Sequence, residues 1–267
     1  MNYIRINSTN DSSRTFIATG AALFAASAAL TIAWCNSMSA MHDMPMPGGW
    51  SMSMMWMRMP GQSWPGSAAE FLGMWLVMML AMMLPSVLPV LWRHRQLAGA
   101  ANASYPAWLA VQMGGGYFSV WMLFGAIAFF AGTTLAALEM QLPWLARAVP
   151  AAIGATVTLA GGLQFSAWKA HRLACCRALP TCCDALAIDA RAAWRSGMRL
   201  GMHCVHCCFG MTLVLLVIGV MDLRAMVVVT AAISAERLAP AGQRVARFTG
   251  AAMLAAGVVM TARAVIA

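Results

Sequence analysis

Residues 69–91 read AEFLGMWLVMMLAMMLPSVLPVL. Past Glu70 this run has no charged side chain, and it reaches the length of about 20 apolar residues that a membrane-spanning helix needs. Five of its side chains are methionines: Met74, Met78, Met79, Met82 and Met83. Met74, Met78 and Met82 recur every fourth residue, so on a helix they form one sulfur-lined stripe, which reads either as core packing or as a relay for a soft metal. Pro85 and Pro89 are expected to kink or end this helix near its far end.

Working outward, residues 16–34, 108–131, 150–168, 205–221 and 245–266 are similar runs. Leu223–Leu238 is shorter, and reads as a short span or a re-entrant segment; the short span gives the more regular alternation. The expected fold is therefore all-α, a polytopic transmembrane helix bundle of about 6–7 spans with its N-terminus cytoplasmic. Composition agrees. Of 267 residues, 61% are hydrophobic and 9% charged, where a soluble domain carries roughly 25% charged residues. That excludes a cytosolic enzyme, a disordered chain and a disulfide-stapled secreted domain. The net charge of +9 is read as loop orientation, with no nucleic-acid partner. With seven spans, only Arg58, Arg147, Arg224 and Arg263 of the 17 Lys and Arg fall outside. The rest, including Lys169, Arg172 and Arg237, fall on the cytoplasmic side, which places the chain in a bacterial inner membrane as a multi-pass protein. Trp34, Trp92, Trp108 and Trp168 sit at span ends as interfacial anchors. The first span exceeds the 7–15-residue core of a signal peptide and reads as a retained anchor.

Three parts follow: a cytoplasmic tail and first span (residues 1–35), a methionine-rich outside loop (36–68), and a bundle (69–267) that includes a cysteine-rich cytoplasmic loop (169–208). Residues 38–59 hold Met38, Met41, Met44, Met46, Met52, Met54, Met55, Met57 and Met59, with His42 among them. Pro45, Pro47, Gly48 and Gly49 are expected to deny the loop regular structure. Thioethers are soft, neutral ligands that suit Cu(I) and need no deprotonation. Filler on a bilayer surface would mix methionine with Leu, Ile and Phe, which this loop almost lacks.

The region 169–208 holds Cys175, Cys176, Cys182, Cys183, Cys204, Cys207 and Cys208, with His171, His203 and His206. Cys204 and Cys207 have the C-x-x-C spacing that lets two thiolates reach one ion. The same spacing suits a redox dithiol. Cys35 lies apart and has no assigned role. Gln164 is a polar residue inside a span, and such groups are functional candidates. Gly114–Gly116 and Gly161-Gly162 read as sites of close helix contact.

Several short motifs, in order, resemble one family: Ala81-Met82-Met83-Leu84-Pro85, Gly116-Tyr117 with Val120-Trp121, Gln164 with Lys169 and Cys176-Arg177, Cys204-x-x-Cys207-Cys208, and Glu236. They are similar to the bacterial family called domain of unknown function 2182, described as metal-binding integral membrane proteins, some of them labelled copper chaperones. The resemblance spans roughly residues 70–250. The family tends to have Cys where Arg172 stands, Gly at His206, Trp at Phe209 and Asn at Asp222; His171 and Cys175 are the candidates to stand in for the missing Cys.

The leading expectation is an inner-membrane protein that handles Cu(I) by capture, relay or delivery, with zinc and iron left open. Candidate ligands are Cys176, Cys204, Cys207, Cys208, His203, His206, Cys175, His171, Met38, Met41, His42, Met44, Met46, Met78 and Met82. The expected partners are the lipid bilayer and a copper-accepting apoprotein or membrane complex. Alternatives are a membrane thiol-disulfide oxidoreductase and a non-catalytic scaffold subunit. No nucleophile–His–acid set or phosphate loop is present, so an ordinary enzyme is not expected.

Overall fold

The computed structural model describes residues 2–39, 44–46, 49–57, 61–101, 103–182 and 189–266. Among these, eight helices carry the fold: α1 (Asn2–Ser39), α2 (Trp64–Ala100), α3 (Pro106–Gln141), α4 (Pro143–Leu163), α5 (Ala167–Cys182), α6 (Ala190–Ile218), α7 (Leu223–Leu238) and α8 (Gly242–Ile266). The chain is an all-α bundle, and six of these helices are long and apolar enough to cross a membrane: α1 to α4, α6 and α8. Large apolar side chains stand out from its sides, among them Leu159, Phe248 and Val265. Such a rim is what a hydrocarbon environment permits and water does not.

Helix ends follow local chemistry. Ser63 caps α2 by accepting from the Gly66 N–H, with Pro65 in the first turn. Pro106 and Pro143 open α3 and α4. Asp189 and Asp222 cap α6 and α7, each accepting from two backbone N–H groups.

Four expectations need correction. Of the two outcomes expected at Pro85 and Pro89, a kink or an end, the end does not occur: α2 continues to Ala100, as proline-containing helices can within a bundle. The fourth span begins earlier, at Pro143, and stops at Leu163. Residues 164–166 turn, and Ser166 Oγ accepts from the Lys169 N–H at 3.1 Å as α5 begins. The stretch 169–208 is largely helical, in α5 and α6, with residues 183–188 outside the described residues. The methionine loop is more ordered than its Pro and Gly imply. Strands β1 (Met44–Met46) and β2 (Trp50–Met52) pair antiparallel, and a 3₁₀ turn follows at Met54–Trp56.

α7 has 16 residues. At 1.5 Å per residue it is about 24 Å long, short of the roughly 30 Å hydrocarbon core. It packs on α2, α6 and α8 through Met226, Val229 and Ile233, and its last turn places Glu236 and Arg237 inside the bundle.

The main core contains Met74, Met78, Met79, Met82 and Met83 from α2, together with Met113, Met211 and Met226 from α3, α6 and α7. Cys176, Cys204, Cys207 and Cys208 belong to the same cluster. The sulfur stripe thus faces inward along its whole length.

Candidate metal centre

Cys204, Cys207 and Cys208 lie one turn apart on the inner face of α6, and all three are buried. Cys176 meets them from α5. Three thiols follow one another along α6 and Cys176 adds a fourth from α5, a buried row in which Cys204 and Cys208 lie 3.9 Å apart. These cysteines are free thiols. Among the described residues, no three Cys, His, Asp or Glu side chains gather around one point as a ready metal cage. The Cys204–Cys208 pair is nonetheless close enough to share one ion. Two sulfurs bound to one tetrahedral ion at about 2.3 Å sit about 3.8 Å apart, close to the Cys204–Cys208 separation.

Polar groups from five segments surround the row. Tyr117 of α3 donates its hydroxyl to Cys204 Sγ at 3.0 Å. Arg237 Nη1 donates to the same sulfur at 3.1 Å and to Ser86 Oγ at 2.8 Å. Lys169 Nζ donates to the Cys207 carbonyl at 2.6 Å and to Glu236 Oε2 at 2.8 Å. Gln164 Nε2 donates to Glu236 Oε1 at 3.2 Å. Lys169, Glu236, Arg237 and Gln164 are all buried. Among the described residues, two cations and one carboxylate leave the pocket one positive charge in excess before any thiol ionises. Buried charge without compensation is costly, so this pocket favours one negative charge on its sulfurs.

The other candidates are dispersed. His203 and His206 lie on the flank of α6 beside α5: His203 feels Arg172, and His206 Nδ1 pairs with Met202 O at 2.7 Å while its ring meets Trp168 edge-on. Cys175 and His171 form their own pair, 3.6 Å apart, at the α5 surface. Met78 and Met82 are in the core stripe. Met46 packs with Met52 against Ala136 and Ala146 of α3 and α4, with Met44 beside them, and Trp50 Nε1 anchors the hairpin by donating to Ala146 O at 2.8 Å. Met38 closes the far end of α1 near α2. Met41, His42 and Cys183 lie outside the described residues. Cys35 is buried and donates to Met221 Sδ at 3.7 Å.

Lys169 and Arg237 count as cytoplasmic charges when read by position, yet both are interior. The adjacent Glu236-Arg237, at the end of an apolar run with few other charges, is the sequence signal for that. Ser86 carried no signal.

The bundle, with its membrane-length apolar helices, thus keeps a row of thiols out of water. The chain is a member of the family described as PpoB2, copper chaperone, which matches residues 72–260. No curated protein and no solved structure matches the chain.

Proposed function

We propose that the chain is a multi-pass protein of the bacterial inner membrane, N-terminus cytoplasmic, that binds Cu(I) between paired thiolates of Cys176, Cys204, Cys207 and Cys208 and passes it to an accepting apoprotein or membrane complex. The observation that carries this reading is the buried thiol row within a pocket of net charge +1. Two thiolates and one Cu(I) make a unit of charge −1, which Lys169, Arg237 and Glu236 together offset. A row offers sulfurs two at a time, which suits a soft ion that accepts low coordination. Zinc prefers four ligands around one point. A row also lets the ion move by replacing one sulfur with the next. The Cys175–His171 pair and the half-buried His203 and His206 lie nearest the α5 surface, where an acceptor would compete for the ion.

Competition titration of the detergent-purified protein against a chromophoric Cu(I) chelator, under reducing anaerobic conditions, tests this. The wild type is expected to hold Cu(I) tightly, and C204S/C207S/C208S to lose that tight binding while keeping its helical content. Equal affinity in the two proteins, or tight zinc binding in place of copper, would overturn the reading.

A further inference from the structure

The methionines of the outer loop divide into two groups. Met46 and Met52 are buried against α3 and α4 and serve as packing. Met55 and Met57 are half-buried and pack in part against the main core and the hairpin cluster, and with Met38 they also face a separate space. Together with Met74 they line a cavity of about 390 Å³ between the end of α1, the 3₁₀ turn and the start of α2. We propose that this cavity is a second metal site, a thioether vestibule that takes up Cu(I) before the thiol row. The inference rests on the copper reading above.

Three features carry it. The wall has an unusual composition for this chain: four thioethers, two aromatic rings and four polar residues, without one Leu, Ile or Val. The buried methionines of the main core are mixed with Leu, Ile and Val, whereas this wall has none of those. The wall is also selectively charged. Among the described residues of the wall, Glu70 is the one ionisable side chain, held by Gln62 Nε2 at 2.7 Å, in a protein of net charge +9. A lone carboxylate beside neutral soft donors attracts a cation and leaves its coordination to sulfur. The room suits an ion with several waters at about 30 Å³ each.

The third feature is position. Met74 is both the floor of the cavity and the first residue of the inward stripe Met74, Met78, Met82. Ser86 is the next residue on the same face, and it shares Arg237 with Cys204. Each step of four residues advances about 6 Å, so the vestibule and the thiol row lie about 18 Å apart along α2. The ion arrives as Cu(I) and leaves as Cu(I), so the passage is ligand exchange without electron transfer. Thioethers hold the ion less firmly than thiolates, which sets the direction of exchange toward Cys204.

The test uses full-length protein labelled with ¹³C at the methionine methyls, in detergent, titrated with Ag(I) as a closed-shell substitute for Cu(I). Single Met→Leu variants assign the signals. In C176S/C204S/C207S/C208S, the methyls of Met38, Met55, Met57 and Met74 are expected to shift together and saturate near one ion per chain. Met46 and Met52 should stay in place. M55L/M57L is expected to abolish the shift at Met38 and Met74. Unmoved vestibule methyls, or shifts spread over exposed methionines without saturation, would overturn the proposal. Should the Cys variant lose the dispersed signals of buried Met79 and Met83, the wild type is used, with the vestibule expected to fill after the thiols. Vestibule shifts in a wild type whose thiols take no metal would sink the thiol-site reading and leave the vestibule standing.

Discussion

Lys169→Met is expected to destabilise the bundle by about 3–5 kcal/mol, the usual loss when one partner of a buried ion pair is removed. Glu236 is almost fully buried, and Lys169 Nζ lies 2.8 Å from it. Without the ammonium, the carboxylate keeps the Gln164 amide at 3.2 Å but loses its paired cation. It must then stay charged at a high desolvation cost or take up a proton. The loss has a second component, because the same ammonium donates to the Cys207 carbonyl at 2.6 Å. A carbonyl in the middle of α6 already serves the helix, so the Lys169 bond fixes α5 against α6 where Cys176 meets Cys207. K169M is therefore expected to lower Cu(I) affinity as well as stability. The double variant K169M/E236M separates the two effects: removing both charges should recover most of the stability, since paired buried charges are often replaceable by apolar residues. It should not recover copper affinity, because the α5–α6 bond remains lost. The measurement is equilibrium unfolding in mixed micelles alongside the chelator titration. A single-variant loss below about 1 kcal/mol, the range of an exposed pair, would contradict the buried assignment.

How far the sequence foretold this arrangement depends on the kind of feature. Apolar runs and their lengths are local, so the helices were legible from residues 16–34, 69–91 and the others. Their ends were less so: α3 runs on to Gln141, and α4 starts at Pro143 well before the most apolar stretch. Helix continuity depends on caps and backbone partners more than on hydropathy. The thiol row was legible in part. Cys204, Cys207 and Cys208 share a helix face by spacing alone, while Cys176 needed the resemblance to a known family. Its protein partners were harder to read. Lys169 and Arg237 look like surface charges by position, and only the tertiary fold reveals that Glu236, Ser86 and Cys204 are there to receive them. Composition singled out the outer methionines as one group, but their division into packing and cavity depends on how the hairpin docks on Ala146, a contact 96 residues distant in sequence.

Gly197→Ala is expected to be among the most damaging small substitutions in the chain. α3 and α6 cross so closely that a Cβ at Gly197 would overlap the Met113 carbonyl, and one at Gly116 would overlap the Trp194 carbonyl. Both obstacles are backbone, so no rotamer change relieves them, and the helices must move apart. Overpacking of this kind typically costs 1–3 kcal/mol. A membrane bundle depends on such contacts, because lipid supplies no hydrophobic drive between helices and close packing must hold them together. The two glycines belong to one crossing. Once G197A has separated the helices, G116A should cost less than it does alone, giving a clear non-additive cycle. Gly73, on the exposed side of α2 with nothing within 4 Å of its missing Cβ, is the control. G73A should be neutral or stabilise by up to about 1 kcal/mol through helix propensity. The crossing also sets the site. Tyr117 follows Gly116, and Cys204 lies about two turns beyond Gly197, so the 3.0 Å contact between them depends on the spacing of α3 and α6. G197A should therefore weaken Cu(I) binding together with stability, while G73A changes neither for the worse. Full copper affinity in a G197A protein that had lost stability would show that the Tyr117–Cys204 contact does not organise the thiol row.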